Sequence, residues 1–171
     1  MNKFAGTLKE IIDHAFVKLR RQKESSWLYK EDLDKWSNQE ILGHLIDSAH
    51  HNMIRFSDAP LKDDLIFQGY DQDKWVEINR YQSREIGELI DLWYQSNAEI
   101  SEVISAIPDE VLFNNSNDHN FHLIAMKRVE EGASCNLAYL VWDYIHHLEH
   151  HLGQILKGYQ PHLPDYQSFL N

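Results

Sequence analysis

The sequence predicts an all-α protein, a bundle of four long helices, and three observations predict it. Apolar residues recur at helical spacing over four separate stretches, each of about five turns. Only seven Gly and four Pro punctuate the 171 residues, too few for a fold assembled from short elements. Five Trp, eight Tyr and seven Phe supply the bulk that a bundle core must bury. With 43% hydrophobic and 25% charged residues the balance is that of an ordinary globular chain, and a single domain over residues 1–171 is expected.

The first helix is expected from about Lys3 to Lys23, where Phe4, Leu8, Ile11, Ile12, Ala15, Phe16 and Leu19 share one face. Glu24-Ser25-Ser26 ends it, and a loop carrying Trp27 and Trp36 follows. Ser37 reads as an N-cap, with Glu40 three positions on to complete a capping box. The second helix then runs from about Asn38 to Phe56 through Ile41, Leu42, Leu45, Ile46, Ala49 and Met53. Ser57-Asp58-Ala59-Pro60 stops it, and residues 57 to about 80 form a crossover with one short helix near Trp75. A third helix is expected from about Tyr81 to Ile107, closed by Pro108. Residues 114–120 are polar and turn-forming, and 121–134 carry no decisive pattern. The fourth helix runs from about Asn136 to Lys157 and stops at Gly158, with Pro161 and Pro164 beyond. Because a long crossover joins them, the second and third helices need not be antiparallel neighbours.

The formal net charge of −11, from 27 acidic and 16 basic side chains, argues against nucleic acid as a partner. The largest basic cluster, Lys18 to Lys23, lies on one amphipathic helix and reads as a solvated helix end. Cys135 is the only cysteine, so no intramolecular disulfide forms and a reducing compartment is permitted. No apolar stretch of signal-peptide length follows Met1-Asn2-Lys3-Phe4, and no window approaches the roughly 18 apolar residues of a membrane span. A cytoplasmic protein without membrane contact is expected.

Eleven histidines are present, and four of them fall in the run His146-His147-Leu148-Glu149-His150-His151. His146/His150 and His147/His151 both have the i, i+4 spacing that stacks imidazoles on one helix face. The first pair, with Glu149, also spells the H-x-x-E-H pattern of inverted zinc peptidases. Helical phase separates the two pairs. Counted from Leu137, the apolar positions Val141, Tyr144, Leu148, Leu152 and Ile155 centre near roughly 20°. His147 and His151 fall at roughly 280° and 320°, flanking that face, while His146 and His150 lie near roughly 180° and 220°. The inward pair is therefore His147/His151, and the peptidase pattern points to solvent. Asp143, one turn before His147, is placed to accept an N–H from a ligating imidazole, and Gln154 continues the stripe. A third ligand is expected from the second helix, where His44, Ser48, His51 and Arg55 form a polar stripe. Spacing does not choose between His44 and His51.

Two longer stretches carry a family likeness. Trp36-Ser37-Asn38-Gln39-Glu40-Ile41-Leu42-Gly43-His44-Leu45-Ile46-Asp47-Ser48 resembles the start of the second helix in the DinB/YfiT-like superfamily. Tyr144-Ile145-His146-His147-Leu148-Glu149-His150-His151-Leu152-Gly153-Gln154-Ile155 resembles its closing motif. Ile54-Arg55-Phe56 and the stretch Tyr70-Asp71-Gln72-Asp73-Lys74-Trp75 are similar to the YfiT-like branch. The resemblance implies an up-down-down-up four-helix bundle and a zinc or nickel ion held by His44, His147 and His151. The residues at Ala49, His50 and His51, and the loop His119-Asn120-Phe121-His122, depart from the family pattern. His51, His119 and His122 thereby become further candidates to reach the site.

Three neutral imidazoles leave a tetrahedral ion one open position, the arrangement of a catalytic zinc. The ion can activate water or hold a thiol as thiolate, so spacing alone admits hydrolysis and thiol transfer equally. The YfiT-like resemblance implies S-transfer from a low-molecular-weight thiol such as bacillithiol, with Arg55 neutralising a carboxylate of the thiol. The alternatives are a metal-dependent hydrolase of a small amide-type substrate and a non-catalytic metal-binding stress protein. A small molecule is the expected partner; the resemblance also admits a homodimer, although no stretch marks an interface.

Overall fold

Four long helices form where the apolar spacing places them, and side-chain caps set their ends in a computed structural model that describes residues 2–170. Helix α1 spans Lys3–Arg20, with the Asn2 side chain accepting from the Ala5 N–H. A one-turn helix, α2, covers Glu24–Trp27 and buries Trp27, which the sequence places in a loop. Helix α3 spans Asn38–Asp58 behind the expected capping box of Ser37 and Glu40. The crossover carries α4, Gln72–Asn79, capped by Asp71. Helix α5 spans Ile86–Ala106, α6 Asp109–Leu112, α7 Phe121–Ile124 and α8 Leu137–Ile155. No strand occurs among the described residues.

The boundaries differ from the sequence reading where a side chain competes for backbone. The third long helix starts at Ile86 rather than Tyr81 because Gln39 Nε2 donates to the carbonyls of Tyr81 and Arg84, at 2.7 and 2.8 Å. Residues 81–83 are thereby held as a 3₁₀ turn, and Glu85 caps α5 by accepting from the Glu88 N–H. Helix α1 closes at Arg20 and α8 at Ile155, each earlier than the spacing implies.

Cross-helix bonds give the direction of each helix. Asn2 bonds Ile104 O, Ser101 bonds Ala5 O and Tyr94 bonds Asp13, so α1 and α5 are antiparallel. His44 meets His147 while Phe56 meets Tyr144, so α3 and α8 are antiparallel. Gln39 bonds the segment leading into α5, and Tyr144, the ring packed on Phe56, bonds Asn97, so α3 and α5 run parallel. Gln22, just beyond α1, bonds Ile155 O at the end of α8, so those two also run parallel. The result is the up-down-down-up bundle. Its core is continuous, from Phe4 and Leu8 on α1 through Leu42, Ile46, Trp93 and Ile100 to Leu148 and Leu152 on α8. No helix among the described residues is long and apolar enough to cross a membrane.

The crossover is tied down at two places. Gly43 on α3 lets the Tyr81 ring lie flat against it; a Cβ there would stand 2.1 Å from Tyr81 Cδ2. The Tyr81 hydroxyl then donates to Asp47 Oδ1 at 2.5 Å, and Asn79 adds a second bond to the same oxygen. Farther along, Asn120 bonds both the N–H and the carbonyl of Phe67, and the Leu65 N–H donates to Asp118 O. The two long connections are thus joined to each other over the α3–α8 edge.

Candidate metal centre

The α3–α8 edge is where the histidines meet. His44 is fully buried on the second turn of α3, and the i, i+4 pair His147/His151 stacks on α8 opposite it. The rings sit with centroids 5.0 Å (His44–His147), 4.8 Å (His44–His151) and 4.6 Å (His147–His151) apart, each pair nearly perpendicular. One nitrogen from each falls within 4.8 Å of the others, a triad able to hold a divalent ion. His44 Nε2 and His147 Nε2 stand 3.0 Å apart, near the ~3.3 Å that two imidazole nitrogens keep around a tetrahedral zinc. The donor set therefore fits such an ion.

Burial also sets the protonation state. It lowers the His44 pKa to about 3, with the nearby His151 adding to the effect. Burial lowers His151 to about 4 against the opposing bond from Gln154, and drives His147 well below the ordinary imidazole value. All three are neutral near pH 7, so a metal would not have to compete with an imidazolium charge. His151 Nδ1–H donates to Gln154 Oε1 at 2.7 Å, which leaves Nε2 as the coordinating atom. Trp36 packs its ring 4.9 Å from His44.

The remaining expectations meet different fates. Asp143 is buried, but its two oxygens accept the N–H groups of Met126 (2.9 Å) and Lys127 (2.7 Å) rather than an imidazole. It holds the connecting loop in place because that loop's amides arrive at the carboxylate, a long-range approach that local spacing does not encode. Gln154 is the side chain that orients a histidine. His51 lies off the triad, stacked on Tyr70 at 3.8 Å with Trp75 against its edge. His119 Nε2 lies 2.8 Å from the Ala133 carbonyl, and neither it nor His122 joins the cluster. The H-x-x-E-H pattern does not face solvent as a unit. His150 is exposed and His146 stacks on Trp142, whereas Glu149 is buried beneath the C-terminal tail. There it accepts from the Tyr159 hydroxyl and from the N–H groups of His162 and Leu163, at 2.6, 2.7 and 2.9 Å.

A cavity of about 370 Å³ opens on His147 and His151, and its wall includes Arg55, Asn52, Tyr70 and Arg128. Arg55 is buried, not a surface residue. Its guanidinium donates to Gln68 O at 2.9 Å and Asn52 Oδ1 at 3.3 Å, and its Nε has no partner. No carboxylate forms an ion pair with it among the described residues. Burial lowers its pKa, while Tyr70 and Asp143 act to raise it. Burial also pushes the Tyr70 phenol up to about 12, so it stands beside Arg55 as a hydrogen-bond donor. In the sequence Tyr70 stands out only within a family-like stretch, with no role at the site, and Arg128 not at all; both come from connections whose course is set by tertiary bonds.

Among curated protein sequences none matches the chain. Its fold is similar to a solved structure described as "YfiT from Bacillus subtilis is a probable metal-dependent hydrolase with an unusual four-helix bundle topology". The two share 16% identity with a TM-score of 0.70, over 90% of this chain and 82% of that one. Identity that low speaks for the shared bundle alone. The family model described as the DinB superfamily matches residues 10–155, from the middle of α1 to the last residue of α8 and across all three histidines. With the bundle, its helix order and its sequence pattern in agreement, the chain belongs to the DinB superfamily.

Proposed function

We propose that this chain is a metal-dependent enzyme, with zinc or nickel held by His44, His147 and His151, that transfers the sulfur of a low-molecular-weight thiol of the bacillithiol type to an electrophile. The observation that carries the reading is a triad of neutral imidazoles on the wall of a cavity that also contains a buried arginine with an unpartnered Nε and, among the described residues, no carboxylate in ion-pair contact. A divalent ion bound there would supply Lewis acidity, lowering the pKa of a thiol or water in its open position.

The chain's own residues do the rest. Gln154 fixes the His151 tautomer, and the Trp36 ring packs on His44. Arg55 is a buried charge whose Nε is unsatisfied, an arrangement that costs free energy until an anion completes it. A carboxylate on the thiol is such an anion, and an arginine fork matches it in shape. The Tyr70 phenol adds a donor on the same wall. A small molecule, not nucleic acid, is the proposed partner.

A thiol-consumption assay with monochlorobimane tests this, run with bacillithiol, glutathione and cysteine, with and without zinc or nickel. Metal-dependent turnover confined to one thiol is expected, with about one metal per chain by elemental analysis. Arg55→Ala should raise KM for the thiol about tenfold or more while leaving metal content unchanged. Protein that takes up neither zinc nor nickel would overturn the metal site. The second reading, hydrolysis of a small amide-type substrate, draws on the description of the YfiT structure and predicts turnover by the zinc form without any thiol. Metal uptake with no turnover on either panel would leave a metal-binding protein without catalysis.

A further inference from the structure

His151 lies on the wall of two separate spaces. One is the 370 Å³ cavity of Arg55; the other is an open groove of about 1020 Å³ between residues 22–41 and the end of α8. Their chemistry is opposite. The cavity presents Arg55 and Arg128, and its one carboxylate, Asp143, is already engaged by two backbone N–H groups. The groove offers the apolar surfaces of Trp36, Tyr29 and Ile41, fenced by Glu31, Asp34 and Asp73 against Lys35 and Lys157. Lys35 is tied to Glu31 at 2.6 Å, which leaves Asp34 and Asp73 against Lys157, an excess of one negative charge. Trp36 is also the ring that packs on His44, so the groove's apolar wall reaches the triad from its other side.

We infer that the two substrates approach the triad from different sides: the anionic thiol through the Arg55 cavity, and a neutral or cationic electrophile with an apolar body through the Trp36 groove. This rests on the thiol-transfer reading, since a hydrolase acting on one substrate has no use for a second approach. Positive charge on one side attracts a carboxylate-bearing thiol, and negative charge on the other turns it away. In the reaction the thiol proton is released to solvent and the sulfur lone pair forms the new carbon–sulfur bond. The bond from that carbon to its leaving group breaks, and the leaving group departs with the electron pair, as chloride when monochlorobimane is the electrophile.

Two glycines allow each space to be filled without disturbing its wall. A Cβ at Gly153, in the groove, would meet nothing within 4 Å, and one at Gly69, in the cavity, would meet only Ile124 Cγ2 at 4.0 Å. In the zinc-loaded enzyme, Gly153→Leu should raise KM for monochlorobimane about tenfold and leave KM for the thiol within about twofold. Gly69→Leu should do the reverse. A second readout needs neither metal nor turnover. Tetramethylbimane is an inert fluorophore that tryptophan contact quenches, and Trp36 lines the groove while no tryptophan lines the cavity. Metal-free protein should quench it; Gly153→Leu and Trp36→Phe should abolish the quenching and Gly69→Leu should retain it. Both leucine variants raising the same KM, or quenching lost with Gly69→Leu and kept with Gly153→Leu, would overturn the assignment. Absence of turnover with every thiol would instead remove the transferase reading and the role of the cavity, while the bimane titration decides the groove independently.

Discussion

Replacing Gln154 by Leu tests whether the triad is organised from outside as well as by its own three rings. Gln154 is exposed and touches the site through one bond, from His151 Nδ1–H to its Oε1 at 2.7 Å. Leu is close to Gln in size and in helix propensity, so the metal-free fold should melt unchanged. What disappears is the acceptor that keeps the proton on Nδ1 and the lone pair on Nε2. A hydrogen bond between neutral groups contributes about 0.5–1.5 kcal/mol, and one to a charged group about 1.5–3 kcal/mol. An imidazole polarised by a divalent ion lies toward the upper range. About 1.4–2.7 kcal/mol corresponds to a 10- to 100-fold loss of metal affinity, the usual effect of removing such a partner. Competition against a chromophoric zinc chelator near neutral pH measures it. Zinc affinity within about twofold of wild type, in a titration where His151→Ala abolishes binding, would refute the reasoning.

Three further outcomes follow from the surrounding structure. Gly43→Ala forces the Tyr81 ring away from α3 and breaks its bond to Asp47, so the urea midpoint should fall by the equivalent of about 2–4 kcal/mol; a loss below about 0.5 kcal/mol would show that the crossover yields easily. Burial raises the Glu40 pKa, but bonds from the Ser37 N–H, Lys30 and the Ser37 hydroxyl outweigh it, and the net value lies below 4.5. The unfolded chain therefore binds the proton first on acidification. The stability this carboxylate contributes is complete above 4.5 and lost as pH falls through the folded value. The stability gap between wild type and Glu40→Gln, of about 1–2 kcal/mol near neutrality, should shrink as pH drops to about 3.5; a constant gap would contradict the shift. Glu149→Gln weakens three bonds that pin the tail, so amide exchange at Leu163 should rise about tenfold or more, with zinc stoichiometry unchanged. A change in zinc content would return Glu149 to the metal.

The bundle was legible because its information is local. Apolar spacing marked all four long helices, and Ser37 with Glu40 marked the start of α3. Helical phase separated His147/His151 from His146/His150 for the same reason, since a single helix fixes the angle between its own residues. The bundle interior could not be read so directly. Nothing on α3 alone distinguishes His44 from His51, because the choice depends on Tyr70 and Trp75 folding over the latter. Asp143 was misassigned on the same account, its partners lying on a loop about sixteen residues upstream. Spacing puts Arg55 on the polar stripe of α3 but does not announce the bonds to Gln68 and Asn52 that enclose it. Each difference involves a connection rather than a helix, where the course of the chain is set by bonds that no periodicity announces.

The helix order has a temporal consequence. His44 and His147 are 103 positions apart, and their meeting needs α3 and α8, the second and last of the four long helices, to dock. Contacts of such separation carry a large loop-closure cost and are late events in folding. A growing chain that has emerged only as far as α5 holds a single one of the three imidazoles and has nothing with which to trap an ion. Metal uptake would then mark a completed bundle, and the first moment at which a nascent chain gains high affinity would be the moment α8 settles against α3.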